Sequence, residues 1–304
     1  MTNQIEIPPA WERLPLENFS GVLMVIGAPD TGKSTFARYL YTRLCASHER
    51  VAFVDGDVGQ ASLGPPTTMT LVVRQCGETE FPPGGTRFRV FVGSNSPRGH
   101  MLPTVIGLYK LVRRACELGA TATVVDTTGL VSAEQGGHTL KHAKVDLLEP
   151  TAIFAIQRGC ELEHILVPLR RSARTRVIDL AATPAVRPRD PTMRRAHRAA
   201  AFRQYFADAA PLEVPWGRLA VFPAPVFSPG RLVALEDARG FALALGVVLE
   251  MDAIRRTLSL LTPARSLEGV DAIRLGDLWL DLATWEERRR WDMGPACEET
   301  KRET

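Results

Sequence analysis

The stretch GAPDTGKST, residues 27–35, constrains the fold more than any other feature of the chain. It fits the pattern G-x-x-x-x-G-K-[ST], and it follows the short apolar run GVLMVIG, which is typical of a strand buried on both faces. Residues 32–46 continue with helical spacing. Glycines let the backbone wrap a phosphate with its N–H groups, and the start of a helix adds a favourable dipole. The pattern therefore predicts a nucleoside triphosphate site in preference to a plain strand-to-helix turn.

The side chains of this phosphate loop (residues 27–35) suit a triphosphate and a metal ion. Lys33 can reach the β- and γ-phosphates, and the Ser34 hydroxyl can complete a magnesium shell. The chain lacks the Asn-Lys-x-Asp motif of guanine-specific switches, and Ala28 and Pro29 stand where dimerising partition-type ATPases carry an extra lysine. Both absences favour an ATP-using kinase. The loop residues expected to bind ATP are Asp30, Thr31, Gly32, Lys33, Ser34 and Thr35.

Apolar runs alternate with helical stretches along the first half of the chain, which predicts an α/β domain with a mostly parallel sheet flanked by helices. Short β-like runs separated by turn residues then predict a small β-rich C-terminal domain. The expected organisation is an N-terminal arm (1–20), a P-loop kinase domain (21–212) with an arginine-rich lid at about 185–206, the β-rich domain (213–282) and a charged tail (283–304).

Net charge, cysteine content and the distribution of apolar residues narrow the possible classes of protein. Net charge is only +3 over 304 residues, so overall charge indicates no particular partner. The five cysteines are scattered without zinc spacing, which predicts free thiols in a reducing cytoplasm. The N-terminus lacks the regions of a signal peptide, and no apolar run approaches the roughly 20 residues of a membrane span. We therefore expect a cytoplasmic protein with no membrane partner.

Two aspartates stand two apart in VDGDVGQ, where the second predicted strand ends. Asp55 and Asp57 can both point towards the phosphates, because the carboxyl ends of parallel strands surround the ligand crevice. A kinase needs one carboxylate to take the proton of the acceptor hydroxyl and others to hold Mg²⁺. Gln60 can position a γ-phosphate oxygen or a water. The alternative is a pair of aspartates that only caps a turn.

Two further strand ends carry polar residues. VVDTTG (124–129) presents Asp126, which has the look of a second magnesium-side carboxylate and is also counted among the substrate-facing residues. The other is GSNSPRGH (93–100), for which a plain polar loop is the alternative interpretation. Its side chains suited to an anionic substrate include Asn95, Ser96, Arg98 and His100.

Arginines are concentrated in residues 158–203. Eleven arginines and no lysine fall there, against four acidic residues. A phosphate-rich partner is one interpretation, and a solvated helical face is the other. Arg194 and Arg198 are four apart, so the helix expected over 192–210 would place them on one face.

Taken in order, these motifs resemble the P-loop polynucleotide 5′-hydroxyl kinases related to the RNA kinase of eukaryotic mRNA 3′-end cleavage and tRNA splicing and to the nucleolar rRNA-processing kinase. The resemblance covers residues of about 20 to 265. GAPDTGKST is similar to the family's phosphate loop, and DGDVGQASLGPP to its [DE]-x-D-x-G-Q motif and proline pair. GSNSPRGH resembles the clasp loop that holds the substrate end. DTTGLVSAEQGGHTLKHAKVDLLEP resembles the [DN]-T-x-G segment and the helix after it, and RPRDPTMRRAHRAAAFRQYF resembles the arginine lid.

The resemblance implies a role for each matching residue. Asp57 would activate the 5′-hydroxyl, and Asp55, where relatives have Glu or Asp, would be its catalytic or magnesium-side partner. Ser34 would hold the magnesium. Gln60 matches the motif glutamine, and Gln157 matches a glutamine near the nucleotide base. The arginines that match the lid, and would stabilise charge on the transferring phosphoryl group, are Arg189, Arg194 and Arg198.

Some features differ from the eukaryotic relatives. Only 20 residues precede the first predicted strand, so we expect no counterpart of the large N-terminal domain of the cleavage-factor member. Leu130 stands where those relatives have a tryptophan that stacks on a substrate base, which weakens stacking there. Asp126 stands where they commonly have asparagine. The pattern is that of a compact prokaryotic version.

Two function hypotheses follow. The first is an ATP- and Mg²⁺-dependent kinase that phosphorylates the 5′-hydroxyl end of RNA, with DNA left open. The second is a nucleotide-dependent RNA-binding or assembly ATPase that does not phosphorylate ends. A small-molecule kinase is disfavoured, because a small acceptor needs fewer phosphate contacts than the arginine segment offers. The sequence indicates no particular protein partner.

Overall fold

A computed structural model describes residues 7–74, 78, 81–172, 174–183 and 188–289. These residues form two compact units. The first comprises the described residues up to Gly64, Thr68–Arg89 and Ser96–Arg189, and the second comprises Pro65–Thr67, Val90–Asn95 and the described residues from Asp190 onward. The domain boundaries expected from the sequence remain predictions. Parts of the expected arm, lid and tail, namely 1–6, 185–187 and 290–304, lie outside the described residues.

The first sheet contains seven strands. They are β1 (Gly21–Gly27), β2 (Val51–Gly56), β3 (Thr68–Val73), β4 (Arg87–Phe91), β5 (Ala122–Thr127), β6 (Ala152–Gln157) and β7 (Arg176–Ala181). Their order is β4-β3-β2-β5-β1-β6-β7. Strands β2, β5, β1, β6 and β7 are parallel neighbours, whereas β3 is antiparallel to β2. The predicted α/β fold with a mostly parallel sheet is confirmed, although the sequence pattern predicted no strand at β3 or β7.

Four of the six described α-helices connect consecutive strands of this sheet. The described α-helices are α1 (Pro9–Glu12), α2 (Lys33–Leu44), α3 (Met101–Glu117), α4 (Gly137–Leu148), α5 (Glu163–Arg171) and α6 (Pro191–Tyr205). On α2, Phe36 and Leu40 are fully buried and share a core cluster with Phe53 of β2 and Phe154 of β6. The phosphate loop lies between β1 and α2, so this core fixes the elements on both sides of it.

The described part of the expected N-terminal arm buries two large side chains. Trp11 is 1% exposed, and its ring centroid lies 5.0 Å from that of Phe36. Leu16, in a 3₁₀ turn at Leu16–Asn18, is also fully buried. The described residues 7–20 therefore contribute to the core of the first unit, because one large aromatic side chain anchors them.

The second unit contains an antiparallel sheet built from the later part of the chain. Its strands are β8 (Ala210–Val214), β9 (Ala220–Phe222), β10 (Arg231–Glu236), β11 (Ala242–Asp252), β12 (Thr257–Thr262), β13 (Ala272–Leu280) and β14 (Glu287–Arg289). Their order is β14-β13-β10-β11-β12-β8, and β9 pairs with β13 in parallel. Phe202 of α6 and Phe206 share a buried cluster with Leu232 and Leu245. The predicted β-rich C-terminal fold is confirmed, and α6 belongs with it.

Two compositional expectations can be compared with the described residues. Cys45, Cys116 and Cys160 are free thiols, whereas Cys76 and Cys297 lie outside the described residues. No helix in the described part of the chain combines the length and the apolar character that a membrane span needs.

Candidate functional site

The phosphate loop has the geometry that its glycines predict. Gly32 adopts φ +89°, a left-handed conformation that few other residues reach without strain, and α2 begins at the next residue. The buried Thr31 braces the loop, because its Oγ1 donates to the carbonyl oxygen of Ala28 at 3.0 Å. The loop therefore directs the unpaired N–H groups at the start of a 12-residue helix towards one place, which suits an anion.

Lys33 lies within this loop rather than in solvent. The residue is 7% exposed, and its Nζ donates to the carbonyl oxygen of Ala28 at 2.6 Å. Burial lowers the pKa of Lys33, while the negative charges of Asp126, Asp57 and Asp30 oppose that change. The ammonium group thus lies within the electrostatic field of three carboxylates, and a phosphate can displace its carbonyl contact.

Asp126 at the end of β5 is the carboxylate that contacts the loop serine. It accepts a hydrogen bond from the Ser34 side chain, and it is 2% exposed. Its Oδ1 is buried and accepts no hydrogen bond within the described part of the chain. Burial, followed by the neighbouring charge of Asp55, raises the pKa of Asp126 to about 7. The Ser34–Asp126 pair therefore has an uncommitted oxygen ligand for a cation.

The backbone after Asp126 lies directly against the phosphate loop. A Cβ added at Gly129 would stand 2.9 Å from the backbone nitrogen of Pro29, so only glycine fits there without a shift. The segment is also tied to strand β1, since Thr127 Oγ1 donates to the carbonyl oxygen of Val25 at 2.8 Å. The sequence DTTG therefore fixes the distance between β5 and the phosphate loop.

Asp55 has a different environment from the one expected of a metal ligand. Its Oδ2 accepts from the backbone N–H of Ser62 at 2.5 Å, from that of Leu63 at 3.0 Å and from Ser62 Oγ at 3.0 Å. Its Oδ1 accepts from the N–H of Asp57 at 3.2 Å. Burial raises the pKa of Asp55 despite these bonds. The carboxylate thus closes the loop 55–63, and its catalytic and magnesium roles remain predictions.

Asp57 keeps one oxygen uncommitted. Its Oδ1 accepts from the N–H groups of Gly59 at 2.9 Å and Gln60 at 3.1 Å, and its Oδ2 accepts no hydrogen bond from the described residues. The side chain is partly exposed. A carboxylate that is oriented by two backbone donors and open on its other oxygen can accept a proton from a hydroxyl group.

Two arginines of the first unit reach the phosphate loop. Arg189 donates through its backbone N–H to Asp30 Oδ2 at 3.1 Å and through Nη1 to Gln60 Oε1 at 3.4 Å. Arg158 donates through Nη2 to the carbonyl oxygens of Asp30 and, at 3.4 Å, Pro29. Arg189 was predicted, whereas Arg158 was missed. The only indication in the sequence was its position directly after β6, a parallel strand next to β1.

Gln157 faces its own turn in the structure. Its Nε2 donates to Glu163 Oε1 at 2.9 Å, and its Oε1 accepts from the N–H of Leu162 at 3.4 Å. Arg170 also binds Glu163, at 2.6 Å. The amide therefore braces the turn between β6 and α5, and its expected place near a nucleotide base stays a prediction.

Two buried lysines on α4 were not predicted as site residues. Lys141 is fully buried, and its Nζ donates to Thr127 Oγ1 at 2.7 Å and to the carbonyl oxygen of Thr128 at 2.6 Å. Lys144 is also fully buried, but its Nζ makes no hydrogen bond to a described residue. Burial lowers the pKa of Lys141 well below its usual value and that of Lys144 to about 8, with Asp57 and Asp126 opposing both shifts. The cations thus lie within the electrostatic field of the two acids.

The predicted clasp and lid residues are divided between the units. Ser96, Arg98 and His100 belong to the first unit, where Ser96 Oγ accepts from the N–H of Arg98 at 3.2 Å. Asn95, Arg194 and Arg198 belong to the second unit. Within that unit Arg198 and Asn95 both contact Glu287, a residue that the sequence did not single out.

These features define a P-loop nucleotide-binding protein. A glycine-containing loop lies between a buried parallel strand and a helix, it carries a lysine and a serine, and a carboxylate approaches it from the end of the neighbouring strand. The family model described as mRNA cleavage and polyadenylation factor CLP1 P-loop matches residues 27–208, which is more than half of the chain. The chain therefore belongs to this family, and the resemblance inferred from its motifs is confirmed. Use of ATP follows from the P-loop family.

Similar proteins occur in several archaea. A protein of Methanocaldococcus jannaschii named polyribonucleotide 5′-hydroxyl-kinase is 29% identical over 217 residues, which cover 71% of this chain and 58% of that protein. A protein of the same name from Thermococcus kodakarensis is 26% identical over 309 aligned positions, covering 84% of this chain and 86% of the relative. A third, from Pyrococcus abyssi, is 33% identical over 144 residues, covering 47% of this chain and 40% of the relative. The chain thus spans little more than half of the first relative.

Solved structures support the fold. The structure of a wild-type Clp1p–Pcf11p complex matches with a TM-score of 0.65 and 14% identity, covering 89% of this chain and 77% of the matched chain. A second structure of these two proteins matches with a TM-score of 0.66 and 13% identity, covering 89% and 78%. At this identity the likeness establishes the architecture only.

Proposed function

We propose that the protein is a polynucleotide 5′-hydroxyl kinase that transfers the γ-phosphate of ATP to the 5′-hydroxyl end of RNA. One observation carries the proposal. Asp57 has one oxygen fixed by two backbone N–H groups and the other open, and its charge acts on Lys33 in the phosphate loop. A phosphate-binding lysine and an oriented, unoccupied carboxylate oxygen are the two groups that transfer to a hydroxyl acceptor needs. The names of the archaeal relatives support the same reaction.

The residues present fit a magnesium–nucleotide complex. Mg²⁺ prefers oxygen ligands and is held in such sites by one or two protein groups together with phosphates and water. Ser34 supplies a hydroxyl, and Asp126 beside it supplies a buried carboxylate oxygen, Oδ1, that accepts no hydrogen bond from the described residues. These two groups would hold the ion, directly or through water, and the ion would neutralise charge between the β- and γ-phosphates. Asp55 is less suited to this role, because its oxygens already accept four hydrogen bonds.

The roles of the protein groups in the transfer follow from these positions. Lys33 moves from the carbonyl oxygen of Ala28 to the phosphates, and the N–H groups at the start of α2 hold the phosphate oxygens. Asp57 Oδ2 accepts a hydrogen bond from the 5′-hydroxyl, orients it and takes its proton as the new O–P bond forms. The bond between the γ-phosphorus and the bridging oxygen of ATP breaks in the same step, and ADP leaves. Arg158 and Arg189 add positive charge beside the loop. We assign Arg194 and Arg198 to the lid on the strength of the resemblance alone.

The acceptor is proposed to be RNA, in line with the relatives' names, and DNA remains the alternative arm of the test. Ser96, Arg98 and His100 would contact the nucleic acid end, since they offer hydroxyl, guanidinium and imidazole groups to phosphate and sugar. Gln60 would position a phosphate oxygen or water. The cytoplasmic location inferred from the cysteine pattern is retained as part of this proposal.

A product assay tests the proposal. Purified protein, ATP, Mg²⁺ and matched 5′-hydroxyl RNA and DNA oligonucleotides are incubated, and 5′-phosphorylated product is measured. The expected result is product on RNA with wild type, and none with Lys33→Ala or Asp57→Asn, while both variants keep the wild-type unfolding temperature within a few degrees. Wild-type protein that yields no product on any end would contradict the proposal. RNA-dependent ATP turnover without product would support the assembly ATPase instead.

A further inference from the structure

Strand β14 brings a buried carboxylate to two residues that the resemblance assigns to different parts of the site, one to the clasp loop and one to the arginine lid. Glu287 Oε1 accepts from Asn95 Nδ2 at 3.0 Å, from Arg198 Nε at 2.8 Å and also from Arg198 Nη2. The Glu287 and Arg198 side chains are only 5% and 14% exposed. All three residues belong to the second unit. One carboxylate oxygen therefore joins the clasp asparagine to a lid arginine.

The amide of Asn95 is held from both ends. While its Nδ2 donates to Glu287, its Oδ1 accepts from Arg289 Nη2 at 3.1 Å. Glu287 and Arg289 are two apart on β14, so both side chains lie on the same face of that strand. An amide with both its oxygen and its nitrogen engaged in this way has a single orientation, which fixes the third residue of the clasp loop.

Arg198 is anchored but not saturated. A guanidinium group carries five N–H bonds in a planar fork, and Glu287 takes one from Nε and one from Nη2. The remaining N–H bonds have no acceptor among the described residues. An arginine held along one edge by a carboxylate keeps the other edge for a phosphate group, and its direction is set by the carboxylate.

Stability alone does not explain this carboxylate. A buried arginine–glutamate pair is often no more stabilising than apolar residues of similar size, because removing both charges from water costs free energy. Glu287 Oε2 adds to that cost, since it is buried and accepts no hydrogen bond from a described residue. What the pair does supply is a fixed geometry for two side chains that are far apart in sequence.

We infer that Glu287 is a positioning residue: it holds the Arg198 guanidinium and the Asn95 amide in the orientation that binds the acceptor polynucleotide. The inference rests on the proposed kinase function, because that function supplies the polynucleotide substrate. It can be tested separately, because binding of the oligonucleotide can be measured without any phosphoryl transfer.

The test compares Glu287→Gln with wild type. Glutamine keeps the size of the side chain but loses the charge that holds the guanidinium. We expect the Kd of a fluorescent 5′-hydroxyl oligonucleotide to rise about tenfold, and kcat/KM for the oligonucleotide to fall by about 10- to 100-fold, as displacement of a binding group by about 1 Å can cause. The Kd for ATP should stay within about twofold of wild type, because the phosphate loop is untouched.

The chain offers a matched control in the same sheet. Glu236 is 2% exposed and accepts from Arg274 Nε at 2.7 Å, so Glu236→Gln also removes the charge of a buried carboxylate that binds an arginine, here one whose side chain is 42% exposed. It contacts neither clasp nor lid residues, and we expect oligonucleotide affinity to be unchanged even if the unfolding temperature falls. Arg198→Lys alone and combined with Glu287→Gln gives a double-mutant cycle. The double variant should bind no worse than Arg198→Lys, since both changes remove one interaction.

Three binding results would overturn the inference. Glu287→Gln could bind the oligonucleotide like wild type, or lose affinity only as much as Glu236→Gln does. The affinity of the double variant could also fall by the product of the two losses measured for Glu287→Gln and Arg198→Lys alone. If Glu287→Gln does not fold, Glu287→Asp, which keeps the charge but shortens the side chain, takes its place in the same measurements. Failure of both variants to fold would assign Glu287 a structural role and reject the positioning role. Absence of wild-type product with these binding effects intact would contradict the kinase proposal alone.

Discussion

Asp55 and Asp126 are register partners on the neighbouring parallel strands β2 and β5, but their carboxylates contact different groups. Asp126 accepts from the Ser34 side chain and keeps its Oδ1 unpartnered among the described residues, whereas both oxygens of Asp55 accept hydrogen bonds from the loop that follows it. Two acids at equivalent positions on adjacent strands thus have different roles: one faces the phosphate loop and the other shapes the loop that carries Asp57.

The first prediction concerns Asp126 and pH. Its pKa in the folded protein is about 7, whereas an unfolded aspartate titrates near 3.9, so between about pH 4 and 7 the folded state binds more protons. Stability contributed by this group therefore falls as pH rises through that window. Asp126→Asn carries no such charge. We therefore compare the unfolding temperature of Asp126→Asn with that of wild type at each pH. The difference, variant minus wild type, should increase from pH 4.5 to 7 and then level off.

The measurement is thermal unfolding of both proteins without nucleotide at several pH values. Parallel curves would contradict the prediction. The same substitution should weaken magnesium-dependent ATP binding at pH 8, where wild-type Asp126 is mostly ionised. A variant that is more stable but binds less nucleotide would show that the buried carboxylate is kept for function at a cost in stability.

The second prediction separates Asp55 from Asp57. Asp55→Asn replaces an acceptor oxygen with an amide donor opposite the N–H groups of Ser62 and Leu63, which leaves buried donors unpaired. The expected loss is about 1–3 kcal/mol in the free energy of unfolding. Asp57→Asn should cost little stability, because that side chain is partly exposed, yet abolish product.

Denaturant unfolding of both variants checks this difference. Ser62→Ala is the control, since it removes only the Oγ donor at 3.0 Å and leaves the two backbone donors of Asp55 in place. Ser62→Ala should lower the free energy of unfolding by less than Asp55→Asn does. An Asp55→Asn protein as stable as wild type would rule out the loop-closing role.

The third prediction compares the two buried lysines. Lys141→Met removes the donor of two hydrogen bonds and leaves the carbonyl oxygen of Thr128 without that partner, so we expect a loss of about 1–3 kcal/mol. ATP affinity should also fall, because Thr128 adjoins Gly129, which lies against the phosphate loop. Lys144→Met removes a buried amine with no hydrogen bond among the described residues, and it should be neutral or stabilising.

Urea unfolding and ATP titration of Lys141→Met and Lys144→Met provide the comparison. The pair is well matched, since both lysines are fully buried on α4 and one turn apart. Equal losses from the two substitutions would indicate that bulk packing, rather than the hydrogen bonds of Lys141, holds the segment after β5.

The fourth prediction concerns Arg158, which contacts the backbone of the phosphate loop. Its guanidinium is exposed, so a nucleotide phosphate can replace those carbonyl contacts. Loss of a charge-assisted hydrogen bond costs about 1.5–3 kcal/mol, and Arg158→Ala should therefore weaken ATP binding by about tenfold or more. Calorimetric titration measures the change. Arg171→Ala, at the exposed end of α5, is the control and should bind ATP like wild type. Equal affinity of Arg158→Ala and wild type would refute the contact.

Much of the fold could be predicted because its determinants are local. The run GVLMVIG, the glycine at 32 and the helical spacing after it indicate strand, loop and helix without reference to the rest of the chain. β7, on the sheet edge, was missed because Arg176 and Asp179 leave no continuous apolar run in it. The sequence did not indicate that the stretch around Trp11 packs into the core, because this one large aromatic side chain stands among polar residues and prolines.

The site residues divide in the same way. The sequence by itself determined the phosphate loop, the acids at the carboxyl ends of β2 and β5, and the family, because these are contiguous motifs whose backbone conformation depends on neighbouring residues. Only the tertiary structure decided that Asp55 closes a loop, that Lys141 braces Thr127, and that Glu287 binds Asn95 from 192 residues away. The physical reason is that a hydrogen bond depends on distance and direction in space. Partners that different strands and helices bring together leave no regular spacing in the sequence.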